Sequence, residues 1–146
     1  MSKSNNWRQQ RGFTLLEIMV VIVILGLLVA VVAPNVLQNQ DKAMVEKARA
    51  DISVLEQALD MYKLDNHVYP TTDQGLQALV KEPTLSPKPK NYRSDGYIKR
   101  LPDDPWGNAY LYIQPGEHGP YDLYSTGADG EEGGEGLAGD IVNWQE

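Results

Sequence analysis

Ile18 to Ala33 is an unbroken apolar run, IMVVIVILGLLVAVVA. With Phe13, Leu15 and Leu16 it becomes a 21-residue segment ending at Ala33, interrupted only by Thr14 and Glu17. About 20 apolar residues as a helix cross the hydrocarbon of a bilayer. A helix that is apolar all round suits a membrane span or a core shared among chains. The residues before it hold Lys3, Arg8 and Arg11 and no acid. Basic flanks stay in the cytoplasm, which predicts a single pass with the N-terminus inside and the remainder outside.

A secretory signal or a plain anchor is the simpler alternative. A secretory signal has a shorter apolar stretch followed by a small-residue cleavage site. Here the run is long and Pro34-Asn35 follows. Glu17 also has no use in a plain anchor. A charged carboxylate in hydrocarbon costs about 2.5–3.5 kcal/mol on insertion scales, and such residues usually have partners.

The stretch Arg11-Gly12-Phe13-Thr14-Leu15-Leu16-Glu17 resembles the class III signal of type IV pilins and type II secretion pseudopilins. The resemblance implies that a membrane-embedded prepilin peptidase cuts between Gly12 and Phe13, removes the 1–12 leader and N-methylates Phe13. Cleavage takes away every leading positive charge and creates one ammonium at Phe13. Phe13 and Glu17 are four apart and share a helix face. Glu17 can then neutralise an ammonium, its own or a neighbour's, and in the family the neighbour's is favoured during subunit docking.

After Asn35 the apolar pattern narrows to a stripe. Met44, Ala48, Ile52, Leu55, Leu59 and Tyr62 recur at spacings of 4, 4, 3, 4 and 3, the period of one helix face. The expectation is one helix from about Thr14 to Asp65, roughly 80 Å long at 1.5 Å per residue. Residues 13–35 form its membrane-spanning or fibre-core part, and 36–146 form the head with the second half of the helix. Pro34 removes one backbone hydrogen bond and is expected to kink or loosen the preceding turn; the simpler alternative is that it marks the end of the membrane span. The family has a proline nearby, associated with unwinding during assembly. Gly26 adds flexibility or allows close packing, the second reading being favoured.

Beyond the helix, Thr72 or Asp73 is placed to cap a short helix over Gln74–Lys81. A proline-rich loop follows. Strands are expected over 97–101, 109–114 and 120–125, separated by turns at 104–108 and 115–119. The predicted fold class is α+β: a long N-terminal helix packed on a small antiparallel sheet. The stretches YPTTDQGLQALV, LPDDPWGNAY and the closing GADG-to-NW segment are similar to the major pseudopilin family of type II secretion. Type IV pilins usually close their C-terminal loop with a disulfide. This chain has no cysteine, which favours the pseudopilin branch.

Thr126 to Asp140 contains six glycines and five acids. Such a segment cannot pack a core and is costly to order. One reading is a flexible acidic loop; the other is calcium, which takes six to eight oxygens from carboxylates and carbonyls. Asp129 and Asp140 are eleven apart with Gly134 in the sixth place, as in an EF-hand loop. That pattern fails at Gly133 and lacks flanking helices. The resemblance strengthens the metal reading. It implies one structural Ca²⁺, with Asp129 as first carboxylate, carbonyls of Thr126 and Glu131, Asp140 as second carboxylate and Glu135 behind it.

Net charge is −7 for the whole chain, and more negative without the leader. That balance argues against nucleic acid, which needs a basic face. His67 and His118 stand apart, with no nucleophile–His–acid pattern, so an anchored hydrolase is disfavoured and no catalytic residue is expected. The resemblance implies a structural major subunit of a periplasmic pseudopilus in a Gram-negative bacterium. Its expected partners are copies of itself, minor pseudopilins, an inner-membrane assembly platform, the prepilin peptidase and, before assembly, lipid. A minor pilin or pseudopilin at a fibre tip is the alternative; Glu17 and the small head favour the major subunit.

Overall fold

A computed structural model describes residues 12–145; nothing is described for the side chains of 33–38 and Leu137. The expected leader 1–12, except Gly12, therefore lies outside the described residues. One helix, α1 (Leu15–Asn66), occupies 52 residues. A three-stranded antiparallel sheet follows, formed by β1 (Leu111–Ile113), β2 (Asp122–Ser125) and β3 (Ile141–Val142). The order is β1-β2-β3, with Leu111 opposite Tyr124 and Ser125 opposite Ile141. The chain divides into two compact units, Met1–Asn39 and Gln40–Glu146.

The α1 ends fit their sequences. Thr14 Oγ1 accepts the Glu17 amide at 3.2 Å, and Thr14 O accepts that of Ile18 at 3.3 Å. Thr14 is thus the N-cap, satisfying a donor that the first turn leaves open. At the other end His67 takes φ 67° and donates its amide to Lys63 O at 2.7 Å. That left-handed residue closes the helix. Asn66 secures the exit: its Nδ2 donates to Tyr62 O at 3.0 Å and Tyr97 Oη at 2.8 Å, and its Oδ1 accepts the Asn91 amide at 2.9 Å.

In the second unit, the expected stripe is the core. Ala48, Ile52, Leu55, Leu59 and Tyr62 are buried, joined by Ala58, while Met44 is half-buried. They pack with Leu79, Tyr110, Tyr112, Tyr121 and Leu123. Tyr112, the middle residue of β1, points inward and donates its hydroxyl to Pro70 O at 2.7 Å. Burying these aromatic and aliphatic chains drives this unit's folding, at about 1.5–3 kcal/mol per large apolar side chain.

Two expected elements differ. The helix anticipated at Gln74–Lys81 is a short 3-10 turn, Leu76–Leu79. Gln74 is committed elsewhere: its Nε2 donates to Leu85 O at 2.9 Å and Pro87 O at 2.8 Å. Gly75 then takes φ 60° and breaks the helical path. The segment 97–101 is not a strand. The amides of Tyr97 and Ile98 converge on one acceptor, Leu79 O, at 2.7 and 3.1 Å, and a ladder needs alternating partners. β3 was not anticipated, because two residues carry too little pattern to signal a strand.

Candidate functional site

The two regions singled out by sequence are an N-terminal stalk and a C-terminal acidic loop. In the stalk, Gly12 and Phe13 precede the cap, and Phe13 is 79% exposed. Glu17 sits in the first turn of α1, where a carboxylate is favoured by the positive helix end. Thr14-x-x-Glu17 has the residue types of a capping box, a signal that the pilin-like motif overshadowed. Behind it, Leu15–Val32 is long and apolar enough to cross a membrane, and none of it is buried within the chain. Pro34 lies inside the helical backbone, which is assigned continuously from Leu15 to Asn66.

The acidic loop begins from a rigid base. Ser125 and Thr126, at the end of β2, are buried. Ser125 Oγ donates to Asp104 Oδ2 at 2.6 Å and accepts the Gly127 amide at 3.2 Å. The other oxygen of Asp104 accepts the amides of Trp106 at 3.1 Å and Asn108 at 2.7 Å. Asp104 is only 4% exposed. It fastens the 104–108 turn to the root of the loop, a role its sequence position in a DDPWGN turn did not disclose.

Further along, Asp129 Oδ1 accepts the Glu131 amide at 3.1 Å. Glu132, absent from the expected ligand set, is tethered: Tyr124 Oη donates to its Oε1 at 2.7 Å. Burial first, and then this carboxylate, push the Tyr124 phenol up to about 12. Gly134 holds φ 87°, and a Cβ there would collide with the Ala138 carbonyl. A side chain at this position would be strained twice over.

At the far end, Asp140 Oδ2 accepts the Gly133 amide at 3.0 Å. Its second oxygen, Oδ1, is buried and has no hydrogen-bond partner. Leaving a buried acceptor unpaired costs about 1–3 kcal/mol, more for a charged group, so this oxygen calls for a cation or a donor. Asp129, Glu131 and Glu135 are exposed, and Glu135 precedes the 3-10 turn Gly136–Ala138 without capping it. Among the described residues no three Asp, Glu or His side chains gather into a metal-holding group. The structure therefore unites Asp140 with the 133 amide and Asp129 with the 131 amide, without clustering the four carboxylates. The donors available are all oxygen, and much of any coordination would come from carbonyls, which suits Ca²⁺ better than a transition metal.

A capped, unburied apolar helix start, long enough to cross a membrane, followed by a head with its own core is the arrangement of a pilin-like subunit. Residues 35–144 match the family described as Type II secretion system (T2SS), protein G, and residues 7–33 match the prokaryotic N-terminal methylation motif. The chain belongs to the Type II secretion system protein G family. It is 64% identical to the type II secretion system core protein G of Vibrio cholerae, over 94% of this chain and 93% of that one. The Pseudomonas aeruginosa counterpart is 61% identical over 94% and 96%. A crystal structure of the major pseudopilin from the type 2 secretion system of enterohaemorrhagic Escherichia coli superposes with a TM-score of 0.68. That structure has 52% identity and covers 76% of this chain and 95% of the other. The expected family and fold class hold: the family is one of structural pseudopilins that assemble into a pseudopilus with other type II secretion components.

Proposed function

We infer that this chain is the repeating structural subunit of the type II secretion pseudopilus, whose assembly in the periplasm drives export of folded proteins across the outer membrane. One observation carries the reading: an 18-residue span, apolar apart from Glu17 and unburied, precedes in sequence a head that closes its own core. Such a span is stable in lipid before assembly and among copies of itself afterwards. The same contrast favours inner-membrane anchoring, with the N-terminus cytoplasmic and the head periplasmic.

Maturation follows from the motif. A prepilin peptidase cuts between Gly12 and Phe13, and Phe13 receives the N-methyl group. The new ammonium then lies one residue before the cap, and Glu17 lies in the first turn. In hydrocarbon an unpaired carboxylate is costly, so Glu17 of one subunit draws in the freed amino end of the next and sets its register. Pro34 serves assembly by weakening one helical hydrogen bond. Minor pseudopilins and the inner-membrane assembly platform are the further partners. The chain acts without catalysis.

The acidic loop holds one structural Ca²⁺. Asp129 and Asp140 supply carboxylates, Thr126 and Glu131 supply carbonyls, and Glu135 stands behind. Support comes from the buried, unpaired Asp140 Oδ1 and from the all-oxygen donor set. When bound, the ion neutralises loop charge and cross-links the two loop ends, in a chain that has no disulfide to do so.

Glu17→Ala tests the assembly reading. The variant is expected to enter the membrane at normal level, to yield few or no pseudopili by electron microscopy, and to leave exported enzymes in the periplasm. Normal fibres and secretion from that variant would reject the charge-pairing role. Mass spectrometry of the membrane-extracted chain is expected to find methylated Phe13 as the first residue; a chain beginning at Met1 would overturn the maturation scheme.

A further inference from the structure

The loop's distal carboxylate sits directly before β3, and β3 is only two residues long. Two ladder positions, Tyr124 with Val142 and Ser125 with Ile141, are a weak restraint for a segment carrying six glycines, whose ordering entropy is large. Ile141 adds an anchor in the core, and the residues beyond β3 restrain the Asp140 end of the loop further.

The tail past Val142 is tied to three separate elements. Asn143 donates its amide to Leu123 O at 3.0 Å, and its Oδ1 accepts the Leu123 amide at 2.9 Å. Its Nδ2 donates to Glu56 Oε1 on α1 at 3.2 Å. Trp144 then lies flat on His118, with ring centroids 4.1 Å apart and planes 1° from parallel, and edge-on to Tyr124 at 5.9 Å. His118 is itself fixed in the β1–β2 turn. Its amide and its Nδ1 both meet the Asp122 carboxylate, at 3.2 and 3.1 Å, and the Glu117 amide reaches the same carboxylate at 2.9 Å. Asp122 is 4% exposed, so the platform under Trp144 is anchored from the sheet.

We propose that Asn143 and Trp144, seated on Leu123, Glu56 and His118, form a clasp that presets Asp140 as a ligand of the cation loop and so governs the loop's affinity without touching the ion. The inference rests on the calcium reading of the loop. His118 and Trp144 are positioning residues: they restrict the chain that carries Asp140, and they pay no part of the coordination. Groups that orient metal ligands from outside the coordination sphere commonly change affinity by about 10–100-fold when removed.

The test uses the full-length chain in detergent micelles, with Ca²⁺ binding followed by titration calorimetry. Trp144→Ala is expected to weaken Ca²⁺ binding by about tenfold or more, and Trp144→Phe, which keeps a flat ring on His118, to restore most of it. Leu76→Ala loosens the core away from the loop, so it should lower the melting temperature and leave the affinity unchanged. In metal-free protein, amide exchange at Gly133, which donates to Asp140, should accelerate in Trp144→Ala and not in Leu76→Ala. His118→Ala is the second variant if Trp144→Ala does not fold; where both fold, adding His118→Ala to Trp144→Ala should add little, because each removes the same stack. Wild-type binding with unchanged affinity in Trp144→Ala and His118→Ala would overturn the clasp alone. No Ca²⁺ binding by the wild type would overturn the calcium reading and the clasp with it.

Discussion

The two halves of α1 share one secondary structure and differ in what covers them. From Leu15 to Val32 every residue is exposed, Leu25 and Leu28 included. From Ala48 to Tyr62 a stripe of one helix face is buried against the head's own side chains. The lesson is that a helix does not specify its partner; the width of its apolar surface does. A stripe can be satisfied by one small sheet, whereas a surface apolar all round needs lipid or many copies of the same chain.

The sharpest way to break that comparison is a pair of leucines. Leu59→Ala in the head, where the side chain is fully buried, is expected to cost about 2–5 kcal/mol. Leu25→Ala in the stalk is 55% exposed, and thermal melting of the head in detergent should not move. Equal shifts for the two would erase the distinction. Calcium removal comes next. Chelation is expected to lower the melting temperature by the lost binding linkage, about 2.7 kcal/mol if the ion had been present at 100 times its dissociation constant. Superimposable melts with and without chelator would remove the metal. Asp104→Ala follows, at about 1–3 kcal/mol, because it strips partners from buried Ser125 and two amides; denaturant unfolding reads it directly.

A pH titration sharpens the picture at the His118 platform. Burial raises the Asp122 carboxyl, yet the His118 ring and the amides of Glu117 and His118 outweigh it and hold it below its ordinary 3.8. A depressed carboxyl binds its proton more weakly when folded than when unfolded. Its contribution is therefore complete above pH 3.8 and is lost as pH falls through the lower folded value. Acid melts of wild type and Asp122→Asn should converge below that range and diverge above it. The smallest effect belongs to the exposed helix pair Lys47–Asp51: Lys47→Ala should change stability by about 0.3–0.5 kcal/mol and less at high salt.

Much of the molecule was legible because periodicity reports local physics. The run Ile18–Ala33, the stripe through Leu55 and Leu59, and the β1 and β2 segments each carry their own pattern. The short helix expected at Gln74–Lys81 was misread because Gln74 spends its side chain on Leu85 and Pro87, contacts invisible in a local window. The strand expected at 97–101 failed for a similar reason, since both of its leading amides go to Leu79 O. In the loop, the acids and glycines were visible at once. That Asp104 underpins it, that Glu132 is held by Tyr124, and that Asp140 keeps one oxygen unpaired were not.

The amino-acid order alone determined that this chain carries a membrane-length apolar helix with one acid near its start, that a striped continuation needs a small sheet, and that no disulfide closes the end. Those properties are local: they follow from hydropathy and spacing along a single element. Only the tertiary structure decided which polar groups meet across dozens of residues, as Asn143 meets Glu56 and Ser125 meets Asp104. Such pairings depend on chain reversals and on burial that removes competing water, and neither is written in any short stretch of residues.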